Sequence, residues 1–472
     1  MNRRTFIAST LSAPVGSLAA APGHQKPNFL FMIADDLTYL GIRAMGNAEV
    51  ETPNLDALMR RGCAFTHCFH QGSWSGAVCV ASRSMLHGGL TAFHAQQRIE
   101  QVPLFGQTMG DAGYQTSIVG KWHLSNTTIE RSFQDRRTVF MDGMFESGPE
   151  AYGRPKPGNT WSPDDTSLKG QWLPTRDWRK SASEPVQHSA QIWADTAADR
   201  LSELSSKTDP FFLYVAFTSP HDPRQAPKEF GDRYPASKIA IPPNYLPEHP
   251  FDQGDRDVRD ELLAPFPRTR DAVQLHRSGY YAHVTYLDSQ VGRILAALDK
   301  SGKADNTYIV FTADHGLAVG QHGLMSKQNL YDHSTRMPLI VAGPGIGKGR
   351  RVDEMVYQHS MFPTVCDLAG VAIPRTVEFP SLAGWLHGSG GPKAESMFCW
   401  YRDFQRSVRT KDHKLILYPK AGKVQVFDLK RDPRETRDVS AEPVYASVRK
   451  DLVARLKTHQ KELDDPLVLP AF

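Results

Sequence analysis

The sequence predicts an α/β protein with a large mixed, mainly parallel sheet between helices, followed by a small C-terminal α+β subdomain. Three continuous apolar segments, residues 28–34, 211–217 and 307–313, are typical of strands buried on both faces. Segments with helical periodicity separate them, which favours parallel strands joined by helical crossovers. Residues 389–472 instead contain short apolar stretches separated by turns, followed by a terminal helical pattern.

The composition is that of a globular protein without a bias toward nucleic acid. The chain has 472 residues, of which 40% are hydrophobic and 22% charged, which allows a large core and more than one domain. Its 55 basic and 51 acidic side chains nearly balance, so we expect no nucleic-acid partner. The five cysteines have scattered spacings that fit neither a disulfide framework nor a Cys-x-x-Cys zinc site.

Residues 1–24 are typical of an export signal. Arg3 and Arg4 are followed by a bulky apolar residue, a modest apolar stretch and three alanines, which is similar to a twin-arginine signal. The apolar stretch is too short and too weakly apolar to span a bilayer, and we predict no membrane span elsewhere. We therefore expect a periplasmic or secreted protein, with a main domain over 25–388 and a subdomain over 389–472.

In chain order, strands and helices alternate through the first part of the main domain. After the strand at 28–34, Thr52 and Pro53 open a helix that Gly62 ends, because Thr is a good N-cap and Pro favours the first helical position. The next predicted elements are a strand from residue 64, a helix over 103–113 and a strand over 114–119.

Two long segments, 125–185 and 222–270, interrupt this alternation. They are rich in Pro, Gly and Arg and show little periodicity, so we predict irregular structure for both. The remaining predicted elements are helices over 188–205 and about 275–299, strands over 338–342, 396–400, 407–409, 415–418 and 424–427, and a helix over about 443–463.

Polar side chains follow four of the predicted core strands at the point where each strand ends. They are Asp35 and Asp36, Lys121 and His123, His221, and Asp314 and His315. Each cluster taken singly favours a solvated turn, a surface loop or a helix cap. Open α/β sheets bind ligands at the carboxyl ends of their strands, so the shared placement predicts one common site.

A loop of small residues delivers Cys79 to the start of a predicted helix, with Arg83 four residues later. This spacing puts both side chains on one face of the first turn, where helix N–H groups and a guanidinium suit sulfate or phosphate. Taken alone, the pair is more simply a buried cysteine beside a surface arginine.

The residue types at the predicted site suit a metal ion beside an anion. Asp35, Asp36 and Asp314 are hard oxygen ligands that suit Ca²⁺ or Mg²⁺. The candidate cations for a tetrahedral oxyanion are Arg83, Lys121, His123, His221 and Lys327. An excess of cations around one metal is what a charged ester group needs for neutralisation.

These motifs resemble the type I sulfatases of the alkaline-phosphatase-like superfamily. The matching segments are Cys79-x-Ala81-x-Arg83, Gly120-Lys121-Trp122-His123-Leu124, Ser219-Pro220-His221, Thr312-Ala313-Asp314-His315-Gly316 and Phe427-Asp428-Leu429-Lys430-Arg431-Asp432-Pro433-x-Glu435. The resemblance runs from about residue 28 to residue 438 and implies an alkaline-phosphatase-like fold with its catalytic domain over 25–388. It implies a hydrolase of sulfate esters, and the export signal favours sulfated polysaccharide fragments as substrates.

The resemblance also implies the chemistry of the site. A maturation enzyme would oxidise Cys79 to Cα-formylglycine, one oxygen of the hydrated aldehyde would attack sulfur, and deprotonation of the other would expel sulfate. His123 is the candidate base for that second step and His221 the candidate acid for the leaving alcohol. The implied Ca²⁺ ligands are Asp35, Asp36, Asp314 and His315, although His315 is alternatively an unmetallated neighbour. The implied sulfate contacts are Arg83, Lys121, His123, His221 and Lys327.

Several alternatives stay open at this level. Ala81 stands where the family usually has proline, which leaves open whether the aerobic or the radical-SAM type of enzyme matures Cys79. A phosphonate or phosphate ester hydrolase shares the fold, choline and aryl sulfates are alternative substrates, and a glycan-binding relative would keep Cys79 unmodified. Aromatic rings and arginines suit anionic sugars. The candidate substrate contacts are Trp122, Arg224, Trp161, Trp172, Trp178, Tyr245 and Arg268.

Overall fold

The computed structural model of the protein describes residues 26–142, 188–222, 224 and 226–470. The predicted export signal and the candidate contacts Trp161, Trp172 and Trp178 lie outside these residues. The described strands are β1 (Asn28–Ala34), β2 (Cys63–Phe69), β3 (Gly72–Ser73), β4 (Gln115–Lys121), β5 (Asp135–Phe140), β6 (Phe211–Ala216), β7 (Thr307–Ala313), β8 (Arg336–Ala342), β9 (Arg350–Tyr357), β10 (Met397–Tyr401), β11 (Gln405–Arg409), β12 (His413–Tyr418) and β13 (Lys423–Asp428).

Helices connect these strands in most of the crossovers. The described α-helices are α1 (Pro53–Arg61), α2 (Val78–Gly88), α3 (Ala92–Arg98), α4 (Phe105–Asp111), α5 (Asn126–Ser132), α6 (Ser189–Ser205), α7 (Lys228–Gly231), α8 (Arg270–Lys300), α9 (Asp332–Thr335), α10 (Met361–Ala369), α11 (Ala383–His387) and α12 (Ala446–Glu462). No helix in the described part of the chain combines the length and apolarity that a membrane crossing needs.

The large sheet of the described residues has the strand order β5-β4-β6-β1-β7-β8-β2-β9. All neighbours pair in parallel except β8, which runs antiparallel to both β7 and β2. Every residue of β1, β6 and β7 is buried, as their continuous apolar sequences indicate. The predicted α/β fold with a mainly parallel sheet between helices is confirmed.

The second sheet is antiparallel along β13-β12-β11-β10 and gains a fifth strand, β3, from the segment just before Cys79. β3 pairs in parallel with β10, with Gly72 opposite Trp400 and Ser73 opposite Tyr401. A Cβ atom at Gly72 would lie 2.0 Å from the Trp400 carbonyl oxygen, so only glycine fits there. The C-terminal sheet therefore contacts the Cys79 loop directly, while the domain boundary at residue 388 stays a prediction.

The predicted secondary structure needs correction at several points, including the short helix α7 inside segment 222–270, which was predicted to be irregular. Segment 125–185 is not irregular throughout, because its described part contains α5 and β5. Ser125 caps α5 by accepting a hydrogen bond from the Thr128 N–H (3.2 Å). β5 is the outer strand of the sheet and is only partly buried, so it lacks a continuous apolar sequence. The helix predicted from residue 103 begins at Phe105, and α3, β9 and α10 were not predicted.

Candidate active site

The predicted site residues lie at the carboxyl ends of β4, β6, β1 and β7, which are consecutive neighbours in the sheet. Asp35 and Asp36 follow β1, and Asp314 follows β7. Backbone hydrogen bonds continue past the strand ends: Asp35 N donates to Ser219 O and Asp314 N to Ala34 O, each at 3.1 Å. The expected gathering of these residues at one sheet edge is therefore what the fold produces.

Cys79 lies in the first turn of α2 and is almost completely buried. Its Sγ atom is 3.2 Å from His123 Nδ1 and 3.8 Å from Lys121 Nζ. His123 has a left-handed backbone (φ 61°), which turns the chain after β4 back toward the thiol. The thiol therefore sits between a helix N-terminus, an ammonium group and an imidazole.

Arg83 lies one turn after Cys79 and is 1% exposed, so it is not a surface arginine. Its Nε donates to Asp314 Oδ2 (3.2 Å), and its Nη1 donates to the Lys121 carbonyl oxygen (2.8 Å). A buried guanidinium without an acidic partner would be costly, and Asp314 supplies that partner. The pair joins α2 to the ends of β4 and β7.

The carboxylates of Asp35, Asp36 and Asp314 lie together. Asp35 Oδ2 pairs with Lys121 Nζ, whereas Asp35 Oδ1 is buried and has no hydrogen-bond partner among the described residues. Asp36 Oδ1 lies 2.9 Å from Lys327 Nζ and 3.3 Å from His315 Nδ1. The site thus has oxygen atoms that protein donors do not fully use.

This donor set fits a hard divalent cation. Donor atoms of Asp35, Cys79, Asp314 and His315 lie within 4.8 Å of one another, and so do those of Asp35, Asp36 and His221. Carboxylate oxygens are the ligands that Ca²⁺ prefers, and the unpartnered Asp35 Oδ1 is a candidate ligand atom. The three aspartates therefore form a candidate metal-binding group, and their binding of calcium stays a prediction.

Burial and neighbouring charges shift the pKa values of the adjacent carboxyl groups of Asp35 and Asp36 in opposite directions. Burial raises the pKa of Asp36 to about 8, against the opposing charge of Lys327 and with the help of Asp35. Burial also disfavours ionisation of Asp35, but the charge of Lys121, together with those of Arg83 and Lys327, outweighs it and holds the Asp35 pKa well below the usual value. Binding of a cation would favour the ionised form of both.

Burial favours the neutral forms of His123 and His221. Burial, followed by the charge of Lys121, lowers the pKa of His123 to about 3. Burial and Lys327 lower the pKa of His221 well below its usual value. Burial also disfavours the charged form of Lys327, but Asp36 and Asp260 outweigh it and raise the Lys327 pKa well above its usual value. His123 is consequently available as a proton acceptor near neutral pH.

Three charged residues at the site were not predicted from the sequence. Asp222 contacts His221, and Arg259 and Asp260 lie beside it. Arg259 and Asp260 come from segment 222–270, which has no periodicity that could place them. Asp222 directly follows His221 in the chain, and this adjacency was the available signal.

Two of the four candidate substrate contacts within the described residues, Trp122 and Arg224, are buried. Trp122 is fully buried, its Nε1 donates to Thr128 Oγ1 (3.1 Å), and its ring centroid lies 4.4 Å from that of His87. The indole is a core residue, so its prediction as a substrate contact is wrong. Arg224 is 5% exposed, with Nη1 2.8 Å from His276 Nδ1, and its contact with substrate stays a prediction.

The structure also places the other two candidate contacts of segment 222–270. Tyr245 is half-buried and its hydroxyl hydrogen-bonds to the Arg268 carbonyl oxygen. Arg268 is buried, pairs with Glu261, and lies 3.8 Å from the ring centroid of Phe266. Both side chains therefore stabilise the conformation of this segment, and their contact with substrate stays a prediction.

Sequence profiles of two families match the chain. The Sulfatase family matches residues 27–371, and the family described as N-sulphoglucosamine sulphohydrolase, C-terminal, matches residues 320–462. The N-acetylglucosamine-6-O-sulfatase of Bacteroides thetaiotaomicron is 25% identical over 534 aligned residues, covering 97% of this chain and 91% of that protein.

Two solved structures show the same fold. One, an enzyme in complex with its substrate D-glucosamine-2-N,6-O-disulfate, has a TM-score of 0.71 at 23% identity and covers 93% of this chain and 99% of that chain. The phosphonate monoester hydrolase of Agrobacterium radiobacter has a TM-score of 0.74 at 21% identity and covers 93% and 96%. Because the Sulfatase profile spans most of the sequence, the chain belongs to the sulfatase family and is a sulfuric ester hydrolase.

Proposed function

We propose that this chain hydrolyses sulfate esters of carbohydrates, with residue 79 converted to formylglycine and a calcium ion bound beside it. The observation that carries the proposal is the position of Cys79 Sγ, close to Lys121 and His123 and next to the aspartate cluster. Support for a carbohydrate substrate comes from the glucosamine derivatives named for the bacterial relative and for the similar structure.

Asp35, Asp36 and Asp314 would hold the calcium ion, with His315 as a ligand or a neighbour. Bound there, the ion would add positive charge next to residue 79 and favour the ionised form of Asp36. The hydrogen bond from Arg83 Nε to Asp314 Oδ2 would hold one of these ligands in place, as partners of metal ligands do.

Formylglycine at residue 79 would supply a hydrated aldehyde whose hydroxyl attacks sulfur. The residues around it bind the ester and move protons. Lys121 and Lys327 place positive charge where sulfate oxygens would lie. His123 Nδ1, next to residue 79 and held neutral, can accept the proton whose loss releases sulfate.

His221 is the proposed general acid for the leaving alcohol. It follows β6, and its Nε2 atom lies 3.7 Å from Asp36 Oδ2, so this nitrogen faces the site. Sugar alkoxides are poor leaving groups and need a proton, which His221 Nε2 can donate only from the imidazolium form. Burial disfavours that form in the free enzyme, and the negative charge of a bound sulfate ester would favour it.

A phosphonate or phosphate ester hydrolase is the second candidate, because the Agrobacterium hydrolase has a TM-score of 0.74. Fold similarity does not separate the two activities. Turnover of an aryl sulfate and of the matching aryl phosphonate by the matured enzyme would do so. A sulfate preference supports the proposal, and a phosphonate preference contradicts it.

The substrate is best tested by screening desulfation of sulfated oligosaccharides, with choline sulfate and nitrophenyl sulfate as comparisons. A preference for a sulfated sugar of at least about tenfold in kcat/KM supports the carbohydrate proposal. Preference for choline sulfate or for the aryl ester contradicts it. We also propose export of the folded, matured enzyme through the twin-arginine signal at residues 1–24, which agrees with an extracellular glycan substrate.

A further inference from the structure

A chain of buried ion pairs lies beside the two candidate cations His221 and Lys327. It consists of Asp222, Arg259 and Asp260. The Asp222 and Asp260 side chains are 4% and 8% exposed, and the Arg259 side chain is 22% exposed. Arg259 is therefore the outermost member of the chain.

Both oxygens that hold the His221 ring belong to Asp222. His221 Nδ1 lies 2.8 Å from the Asp222 carbonyl oxygen and 3.2 Å from its Oδ1 atom. Because Nδ1 donates to these oxygens, Nε2 is left on the opposite side of the ring, facing Asp36. Asp222 thus decides which ring nitrogen reaches the site.

Arg259 in turn holds Asp222. Its Nη1 lies 2.7 Å from Asp222 Oδ2 and its Nη2 lies 3.0 Å from Oδ1, which is a bidentate pair. The same guanidinium contacts Asp260, whose Oδ2 lies 3.8 Å from Lys327 Nζ. One side chain at the edge of the site therefore restrains the carboxylate next to His221 and the carboxylate next to Lys327.

We propose that Arg259 is a positioning residue: by clamping Asp222 it fixes the His221 ring with Nε2 directed at the substrate. The inference rests on the proposed function, because it assumes that His221 acts on the ester. A planar guanidinium suits this role, since its two Nη groups match the two Asp222 oxygens in a fixed fork, whereas a lysine ammonium is a point charge on a flexible stem without that geometry.

The test compares Arg259→Met, Arg259→Lys and the parent on nitrophenyl sulfate and on a sulfated monosaccharide. We expect Arg259→Met to lower kcat/KM by about tenfold or more and Arg259→Lys to recover part of it. As with His221→Ala, the loss of kcat/KM should be larger on the sulfated monosaccharide than on nitrophenyl sulfate. On each substrate the loss should be smaller than the loss that His221→Ala causes. Arg256→Met is the matched control, because Arg256 is exposed and contacts Glu248 (3.2 Å) and the Phe266 ring (4.7 Å to its centroid), neither of which takes part in the proposed clamping of His221, so it should match the parent.

The deciding measurement is a double-mutant cycle with His221→Ala. If Arg259 acts through His221, Arg259→Met should cause no further loss in the His221→Ala background. The same loss in both backgrounds would overturn the inference. If Arg259→Met does not fold, Asp222→Asn replaces it in the cycle, with unchanged circular dichroism as the criterion of folding. Absence of sulfate ester hydrolysis by the parent would contradict the proposed function instead, so the two failures are distinguishable.

Discussion

Two of the clusters of buried charge in the described part of the chain differ in whether both oxygens of their central aspartates have a partner. The first, the subdomain cluster, is formed by Asp332, Arg409, Lys414 and Glu435. Asp332 Oδ1 lies 3.0 Å from Lys414 Nζ, and its Oδ2 lies 3.3 Å from Arg409 Nη2. Lys414 also lies 2.8 Å from Glu435. These pairs join α9 to the second sheet, and each Asp332 oxygen has a cationic partner.

The second, the site cluster, contains Asp35, Asp36 and Asp314 with Arg83, Lys121 and Lys327. Here Asp35 Oδ1 has no hydrogen-bond partner among the residues described, and burial raises the pKa of Asp36 to about 8. In the subdomain cluster burial also opposes ionisation, but Arg409 and Lys414 outweigh it and hold the Asp332 pKa well below its usual value. Both Asp332 oxygens therefore have cationic partners, whereas Asp35 Oδ1 has no hydrogen-bond partner within the ranges that the structure describes, and this oxygen is what a further cation could bind.

The largest expected effect is loss of turnover on substitution at the site cluster's nucleophile position. Cys79→Ala should lower sulfate ester hydrolysis to background and leave the fold intact, because one small residue replaces another. Activity assays and circular dichroism on the matured protein measure both. Cys399→Ala is the control, since Cys399 is buried in β10 and should keep full activity per folded molecule. Turnover by Cys79→Ala would contradict the proposed mechanism.

Substitution in the subdomain cluster should lower the free energy of unfolding and leave turnover per folded molecule unchanged. Asp332→Asn removes the acidic partner of buried Arg409 and Lys414, so the free energy of unfolding should fall by ~3–5 kcal/mol. Because the Asp332 pKa is lowered, this contribution is present above its unfolded value of 3.8 and is lost below it.

Urea unfolding at neutral pH measures this loss, with Glu435→Gln as a graded comparison. Burial raises the pKa of Glu435 despite the charge of Lys414, so removal of its charge should cost less. An Asp332→Asn protein as stable as the parent, or one that loses turnover per folded molecule, would remove the distinction between the clusters.

His221→Ala should reduce kcat/KM by roughly a hundredfold on a sugar sulfate and much less on nitrophenyl sulfate. The reason is that nitrophenolate leaves without a proton and a sugar alkoxide does not. Steady-state kinetics on the two esters test this. An equal loss on both would make His221 a sulfate-binding residue and move the acid role to Lys327 or another neighbour.

The smallest expected effect is a pH-dependent difference in stability between Asp36→Asn and the parent. A carboxyl whose pKa is raised from 3.8 to about 8 stabilises the fold below pH 3.8, and this contribution is lost as the pH rises toward 8. In a calcium-free buffer the parent should therefore lose at least ~1 kcal/mol relative to Asp36→Asn between about pH 5 and about pH 8.

Added calcium should restore the stability of the parent at about pH 8 and affect Asp36→Asn less, because the variant lacks one charged ligand. Urea unfolding with a chelator or with calcium measures both quantities. A difference that does not change with pH, or equal stabilisation of both proteins by calcium, would contradict the assignment of Asp36 to the calcium site.

The sequence could predict the site cluster because its signals are local. Asp35 and Asp314 each end a continuous apolar strand, and the topology of parallel sheets brings such ends together. The edge strands β5 and β9 have mixed sequences because they are only partly buried, so periodicity did not reveal them. Trp122 resembled a site residue by its neighbours in the chain, yet its indole packs in the core.

The sequence could not predict which residues of the irregular segments reach the site. Arg259 and Asp260 belong to segment 222–270, where neither a period of two nor one of 3.6 fixes the direction of a side chain. Their partners, Asp222 and Lys327, are far from them in the chain, and only the tertiary fold brings them together.

The most direct test of the account is the chemical state of residue 79. Trypsin should release the peptide Gly62–Arg83, which contains Cys63, Cys68 and Cys79. In active protein, mass spectrometry should show the mass deficit of thiol-to-aldehyde conversion, alkylation only at Cys63 and Cys68, and reaction of residue 79 with a hydrazide probe. A fully active protein in which all three cysteines of this peptide are alkylated would contradict the account.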